Sequence, residues 1–230
     1  ALDTDALVDP LQQLRDRHRQ LAGLQQQSPE AQQQLSAAQQ ALQRPPLPSI
    51  DPPQGQWPAH NSPESGLAHL YEAISQNRSQ EVLDQVASLH GHPHAGEVAY
   101  LAGLAHAQLG QHEQALRAYE QAQAAGFLTP YVLFNGGNAC RAVGNNVEAI
   151  RLYREALEQF PSFEEAHINL SQAYLNAGDR DAAKRQLRLL LRDQPTAYQA
   201  AFALGNLLRE LKRDAESVEA FRLCLEHAPN

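Results

Sequence analysis

The feature that most constrains this chain is a pattern that returns about every 34 residues, a period that marks a stacked-repeat array. Gly110, Gly144 and Gly178 fall one period apart, and Ala115, Ala149 and Ala183 follow them in step. The clearest unit runs from Glu164 to Pro195. In it Ala166, Leu170, Ala173 and Tyr174 recur at helical spacing. Gly178-Asp179 breaks the pattern, as suits a residue free to take positive φ at a helix end. A second periodic run passes through Ala182, Ala183, Leu187, Leu190 and Leu191, and Pro195 closes the unit, since proline cannot continue a helix. The unit reads as two short amphipathic helices back to back.

One period upstream stand Leu133, Gly137, Cys140, Tyr153, Ala156 and Pro161. One further back are Gly103, His106, Tyr119 and Ala122. Downstream are Ala201, Leu204, Gly205, Leu208, Phe221, Cys224 and Pro229. A single helix pair of this size cannot bury its apolar stripe, so stability has to come from stacked neighbours. Gly103 and Gly205 fall on first-helix faces and the repeated alanines on second-helix faces, where small side chains allow close approach. Tyr119, Tyr153, Leu187 and Phe221 are expected to fill the space between pairs. Polar substitution of Leu170 or Phe221 is expected to cost a few kcal/mol, on the order of core damage.

These positions resemble the tetratricopeptide repeat (TPR) family. Leu204-Gly205 match its Leu-Gly pair, Tyr174 its first aromatic, and Gly110, Gly144 and Gly178 its turn. Ala115, Ala149 and Ala183 match its small residue, Tyr119, Tyr153 and Phe221 its second aromatic, and Pro161, Pro195 and Pro229 its closing proline. Ser171, Lys212 and Ser217 depart from the pattern, and the first of the four repeats closes on AAGFLTP instead of a proline in register. The resemblance implies an all-α fold, a right-handed superhelical α-solenoid of helix-turn-helix repeats. The expected repeats are about 96–129, 130–163, 164–197 and 198–230.

Three segments are expected before them. Residues 64–95 read as a degenerate capping repeat, with Leu67, Leu70, Tyr71 and Ile74 on one helix and Val82, Leu83, Val86 and Leu89 on its partner. Asn77-Arg78-Ser79 would be the turn. Residues 45–63, rich in proline and holding the single Trp57, read as an extended linker. Residues 1–44 read as a Gln-rich helical hairpin, because Asp9-Pro10 and Ser28-Pro29 each pair an N-cap with proline at the first helical position. It is expected to be a dimerisation or docking hairpin, a pair that packs on the array, or a partly ordered flank.

Composition narrows the function. The net charge is −8, and with pI near 5.7 this argues against bulk nucleic-acid binding. Mean hydropathy is −0.50, and no apolar run reaches membrane-span length, so no membrane insertion by this chain is expected. The two cysteines, Cys140 and Cys224, sit on apolar faces in different repeats and read as core residues. Unpaired thiols fit a reducing compartment, cytoplasmic; a removed N-terminal signal or anchor would instead fit the periplasm. His90, His92 and His94 alternate in one loop, a pattern that can chelate a metal but here lacks a further ligand. No phosphate loop, nucleophile elbow or zinc-protease motif occurs, so neither an enzyme nor a cofactor is expected.

The expected chemistry is recognition of another protein. The resemblance implies that first helices line a concave groove that takes a peptide or helix. Its expected lining is Tyr100, Leu104, Tyr131, Phe134, Asn135, Asn138, Arg141, Asn169, Gln172, Phe202, Asn206 and Arg209. Asparagine can both donate to and accept from a peptide backbone, aromatics supply anchor area, and arginine pairs with carboxylates. A basic stripe, Arg180, Lys184, Arg185, Arg188 and Arg192, reads as solvated surface, with an acidic partner or RNA as the alternative. Ending at Asn230 without a polar closing helix suggests either further chain or self-association, through the last repeat or the hairpin. The competing functional expectations are the recruiting region of a larger enzyme, such as a transferase, and a periplasmic assembly factor.

Overall fold

A computed structural model describes residues 66–228. The expected hairpin, the linker and Trp57 lie outside the described residues. Among the described residues there are ten α-helices and no strand. They are α1 (Ala68–Ser75), α2 (Ser79–Val86), α3 (Ala95–Gln108), α4 (His112–Ala124), α5 (Pro130–Ala142), α6 (Asn146–Gln159), α7 (Glu164–Asn176), α8 (Arg180–Asp193), α9 (Tyr198–Glu210) and α10 (Asp214–His227). They divide after Leu190 into two compact bodies.

In the first body, from residue 66 to Leu190, each helix from α1 to α6 packs on the next in sequence. The first helices of neighbouring pairs also touch: α1 on α3, α3 on α5, α5 on α7. That is the contact pattern of a one-dimensional stack, in which each pair meets only its neighbours. A continuous apolar cluster runs from Leu67 to Ala173. Tyr71 of the opening pair is buried and donates to Glu97 of α3 at 3.0 Å, which joins the degenerate pair to the stack.

Helix boundaries follow local chemistry. The turns after α3, α5 and α7 place Gly110, Gly144 and Gly178 at φ of 71, 83 and 85°, where a side chain would be strained. Two of these breaks are followed by a side-chain cap: Asn145 accepts from the Glu148 amide and Asp179 from the Ala182 amide. The irregular close AAGFLTP has its own logic. Thr129 Oγ1 accepts from the Val132 amide, and Pro130 takes the first helical position. The residues that break the repeat pattern there are a helix start.

Within the pairs α3–α4 and α5–α6, one contact recurs. A Cβ built on Gly103 would lie 2.4 Å from the Tyr119 ring, and on Gly137 2.7 Å from the Tyr153 ring. Each second-helix aromatic therefore rests directly on the glycine of the first helix. The pair α7–α8 has Ser171 and Leu187 at these positions, both buried. At the spacing that separates glycine from aromatic in the other pairs, a serine stands in place of the glycine and a leucine in place of the larger ring. Ser171 Oγ is also satisfied, bonding the Ile168 carbonyl at 2.6 Å.

The second body, from Leu191, holds α9 packed on α10. It repeats the lock, with Gly205 against Phe221, a built Cβ lying 2.7 Å from the ring. Ser217, in place of the small alanine, is buried and donates to the Gly205 carbonyl at 2.8 Å. Lys212 holds the left-handed turn at φ 55° that glycine holds elsewhere.

Candidate functional site

The expected groove residues separate by depth. Tyr100 and Leu104 are 1% exposed, and Tyr131, Phe134 and Asn135 are also buried. The Tyr131 and Phe134 rings close on Phe163, at centroid distances of 5.4 and 4.7 Å. These five are packing residues and offer a ligand little surface, which corrects the expectation that the aromatics are exposed anchors. The physical reason is that first helices touch one another as well as their own partners, so one side of each is covered twice. Asn135 is spent internally, donating Nδ2 to the Tyr100 hydroxyl at 3.1 Å. Burial pushes that hydroxyl up, and the Asn135 bond pulls it partly back.

Asn138, Arg141 and Asn169 are half-buried and Gln172 is exposed. Three of these meet around one atom. Asn138 Oδ1 accepts from Tyr153 Oη at 2.6 Å and from Asn169 Nδ2 at 2.8 Å. Arg141 stands beside the same hydroxyl. Burial raises the Tyr153 hydroxyl to about 12, while the Arg141 charge and hydrogen bonding from Arg141 and Asn169 oppose that rise. With its oxygen doubly used, Asn138 keeps its amide N–H groups, and Asn169 keeps its carbonyl oxygen. One donor and one acceptor thus stand side by side, as an extended peptide backbone requires. Gln172 continues the polar surface by donating to Asn176 at 3.0 Å, and Asn176 donates to Asn146 at 3.3 Å.

Tyr153 was expected only as core. Its ring is, but its hydroxyl reaches the polar cluster because the ring lies on Gly137, next to Asn138. The adjacency Gly137-Asn138 was the available signal. One repeat earlier Leu104 stands where Asn138 does, and the Tyr119 hydroxyl is buried without a partner. In the second body Phe221 has no hydroxyl to give; Asn206 accepts instead from Arg209 at 3.3 Å, and the half-buried Phe202 packs on Phe221 with centroids 5.8 Å apart.

The histidine loop is committed elsewhere. His92 Nδ1 accepts from the His94 amide at 3.2 Å, and His90 is exposed. Among the described residues no group of three or more His, Cys, Asp or Glu could hold a metal ion. Lys184 pairs with Asp181 at 2.8 Å, and Arg192 with Asp193, so the basic stripe is partly neutralised by its own helix. No helix among the described residues is long and apolar enough to cross a membrane. Cys140 and Cys224 are free and buried.

Family models described as tetratricopeptide repeat match residues 66–128, 141–205 and 198–230. The chain belongs to the tetratricopeptide-repeat family, and the match reaches back to the degenerate opening pair. Solved structures agree on the fold. PilF of Pseudomonas aeruginosa aligns with a TM-score of 0.64 at 15% identity, over 74% of this chain and 78% of that one. YrrB, described as a TPR protein with an unusual peptide-binding site, gives 0.60 at 17% identity, over 74% and 87%. MamA of Desulfovibrio magneticus RS-1, from residue 41 to its end, gives 0.63 at 15%, over 70% and 91%. A comparison with curated proteins finds no match. The fold is that of the all-α TPR solenoids, and the repeats support a protein-interaction scaffold as the general role.

Proposed function

We propose that the protein binds an extended segment of a partner protein along the surface formed by Asn138, Arg141, Asn169 and Gln172. The observation that carries this is the paired amide arrangement: Asn138 Oδ1 accepts from two neighbours, which leaves a free donor on Asn138 beside a free acceptor on Asn169. Such a pair can hold a backbone without reading its side chains, and Tyr153 fixes the first amide so that little rotamer freedom is lost on binding. YrrB, at 17% identity, is described as having an unusual peptide-binding site, which is consistent with use of the fold in this way. Catalysis has no part in this reading.

The test is selection of random twelve-residue peptides displayed against the full chain. Selected peptides are expected to weaken about tenfold or more against Asn169→Ala and Gln172→Ala, with helicity unchanged by circular dichroism. Peptides that bind both variants as tightly as the parent would move recognition to another face and refute the assignment.

A further inference from the structure

The Nε of Arg141 is buried and has no hydrogen-bond acceptor. The chain carries 26 carboxylate side chains against 18 lysines and arginines, yet among the described residues Arg141 makes no ion pair. Arg151, on the next helix, is by contrast held by both Glu148 and Glu155. A cationic N–H taken out of water without an acceptor is costly, more so than a neutral one. Arg141 is nevertheless held where the Tyr153 hydroxyl feels its charge. It is a pre-positioned cation short of an anion.

We infer that Arg141 receives the side-chain carboxylate of an Asp or Glu in the bound segment. The inference rests on the proposed peptide site. Arg141 lies one helical turn beyond Asn138 on α5, a separation of about 5–6 Å between Cβ atoms. A segment held by Asn138 and Asn169 through its backbone therefore brings a neighbouring side chain over the guanidinium. The backbone-holding pair implies a chain that runs through, so an internal acidic residue is the occupant, and not a terminal carboxylate. Arginine suits the task because its planar fork engages both carboxylate oxygens.

The experiment is the same displayed library, selected in parallel on the full chain and on Arg141→Gln. Individual peptides are then resynthesised with acetylated and amidated ends. Peptides from the parent selection are expected to share an Asp or Glu at a fixed place. Changing that residue to Asn or Gln should weaken binding about ten- to a hundredfold, the range for a hydrogen bond to a charged group. Arg141→Gln should cause a similar loss, and the two changes together should cost little more than either. Arg141→Lys should recover part of the affinity. The peptide-side change keeps the test valid if Arg141→Gln perturbs folding. A consensus without acid, or an acid whose removal costs nothing, overturns the inference; if those peptides still weaken on Asn169→Ala, the peptide site itself survives. Peptides that bind only with a free C-terminus overturn the internal-acid assignment. Failure to select any peptide refutes both readings.

Discussion

Gly103→Ala, a change that improves helix propensity by about 1 kcal/mol, is expected to destabilise this protein. A Cβ at residue 103 would sit 2.4 Å from Tyr119 Cε1 and 2.6 Å from Cδ1, well inside carbon–carbon contact. The ring cannot swing away, since Tyr119 is 1% exposed. Overpacking of this kind costs roughly 1–3 kcal/mol. The tight contact places the cost near the upper end, and the net loss after the propensity gain is about 1–2 kcal/mol. Tyr119→Leu alone should also cost about 1–3 kcal/mol through the space left behind. Together, the added methyl fills part of that space, and the leucine removes the clash. Ser171 and Leu187 hold the equivalent two positions in α7 and α8. The double variant is therefore expected to be more stable than the sum of the single effects predicts, with coupling of about 1–2 kcal/mol. Urea unfolding of all four proteins, followed by far-ultraviolet circular dichroism, measures it. Additivity within about 0.5 kcal/mol would refute the glycine–aromatic lock as the element that sets helix spacing.

The two tyrosine hydroxyls give a paired prediction. Tyr119→Phe removes a buried hydroxyl without a partner and should stabilise by about 1 kcal/mol, whereas Tyr153→Phe removes a bond to Asn138 and should destabilise by about 1 kcal/mol, both read from urea midpoints. Lys212→Gly should raise stability by about 0.5–1 kcal/mol because it relieves a left-handed residue, and Gly144→Ala should lower it by about 1 kcal/mol, in thermal melts. Burial raises the hydroxyls of Tyr71, Tyr100, Tyr119 and Tyr153 above their ordinary value. Above about pH 10 the unfolded chain therefore loses these protons first, so stability is full below that pH and falls as it rises. An ultraviolet titration should show these phenols ionising only together with loss of helicity; smooth ionisation with helicity retained would contradict their burial. Burial, with Glu148 and Glu120 adding and Arg151 opposing, pushes the Cys140 thiol up to about 11, so alkylation at pH 8 should follow unfolding and be slow in the native protein.

The proposed binding surface was legible only in part. Asn138, Arg141 and Asn169 could be named because first-helix positions repeat at a fixed spacing. Their neighbours Tyr100, Leu104, Tyr131, Phe134 and Asn135 have the same spacing and are buried. Periodicity fixes which side of a helix a residue is on, but not whether that side is covered by a neighbouring first helix. The role of Tyr153 was hidden for a related reason. Its ring belongs to the core and its hydroxyl to the surface, and one residue type carries both signals.

The repeat period, the turn glycines and the alternation of small and large residues determined the fold by themselves. Each is a local requirement: positive φ at Gly110, Gly144 and Gly178, and an apolar stripe that one pair cannot bury alone. Tertiary structure decided how those residues meet. Only there does the Tyr119 ring come to rest on Gly103 and Asn138 turn its oxygen toward Tyr153. These outcomes depend on distances between helices, which follow from packing of side chains far apart in sequence and are written in no single stretch of the chain.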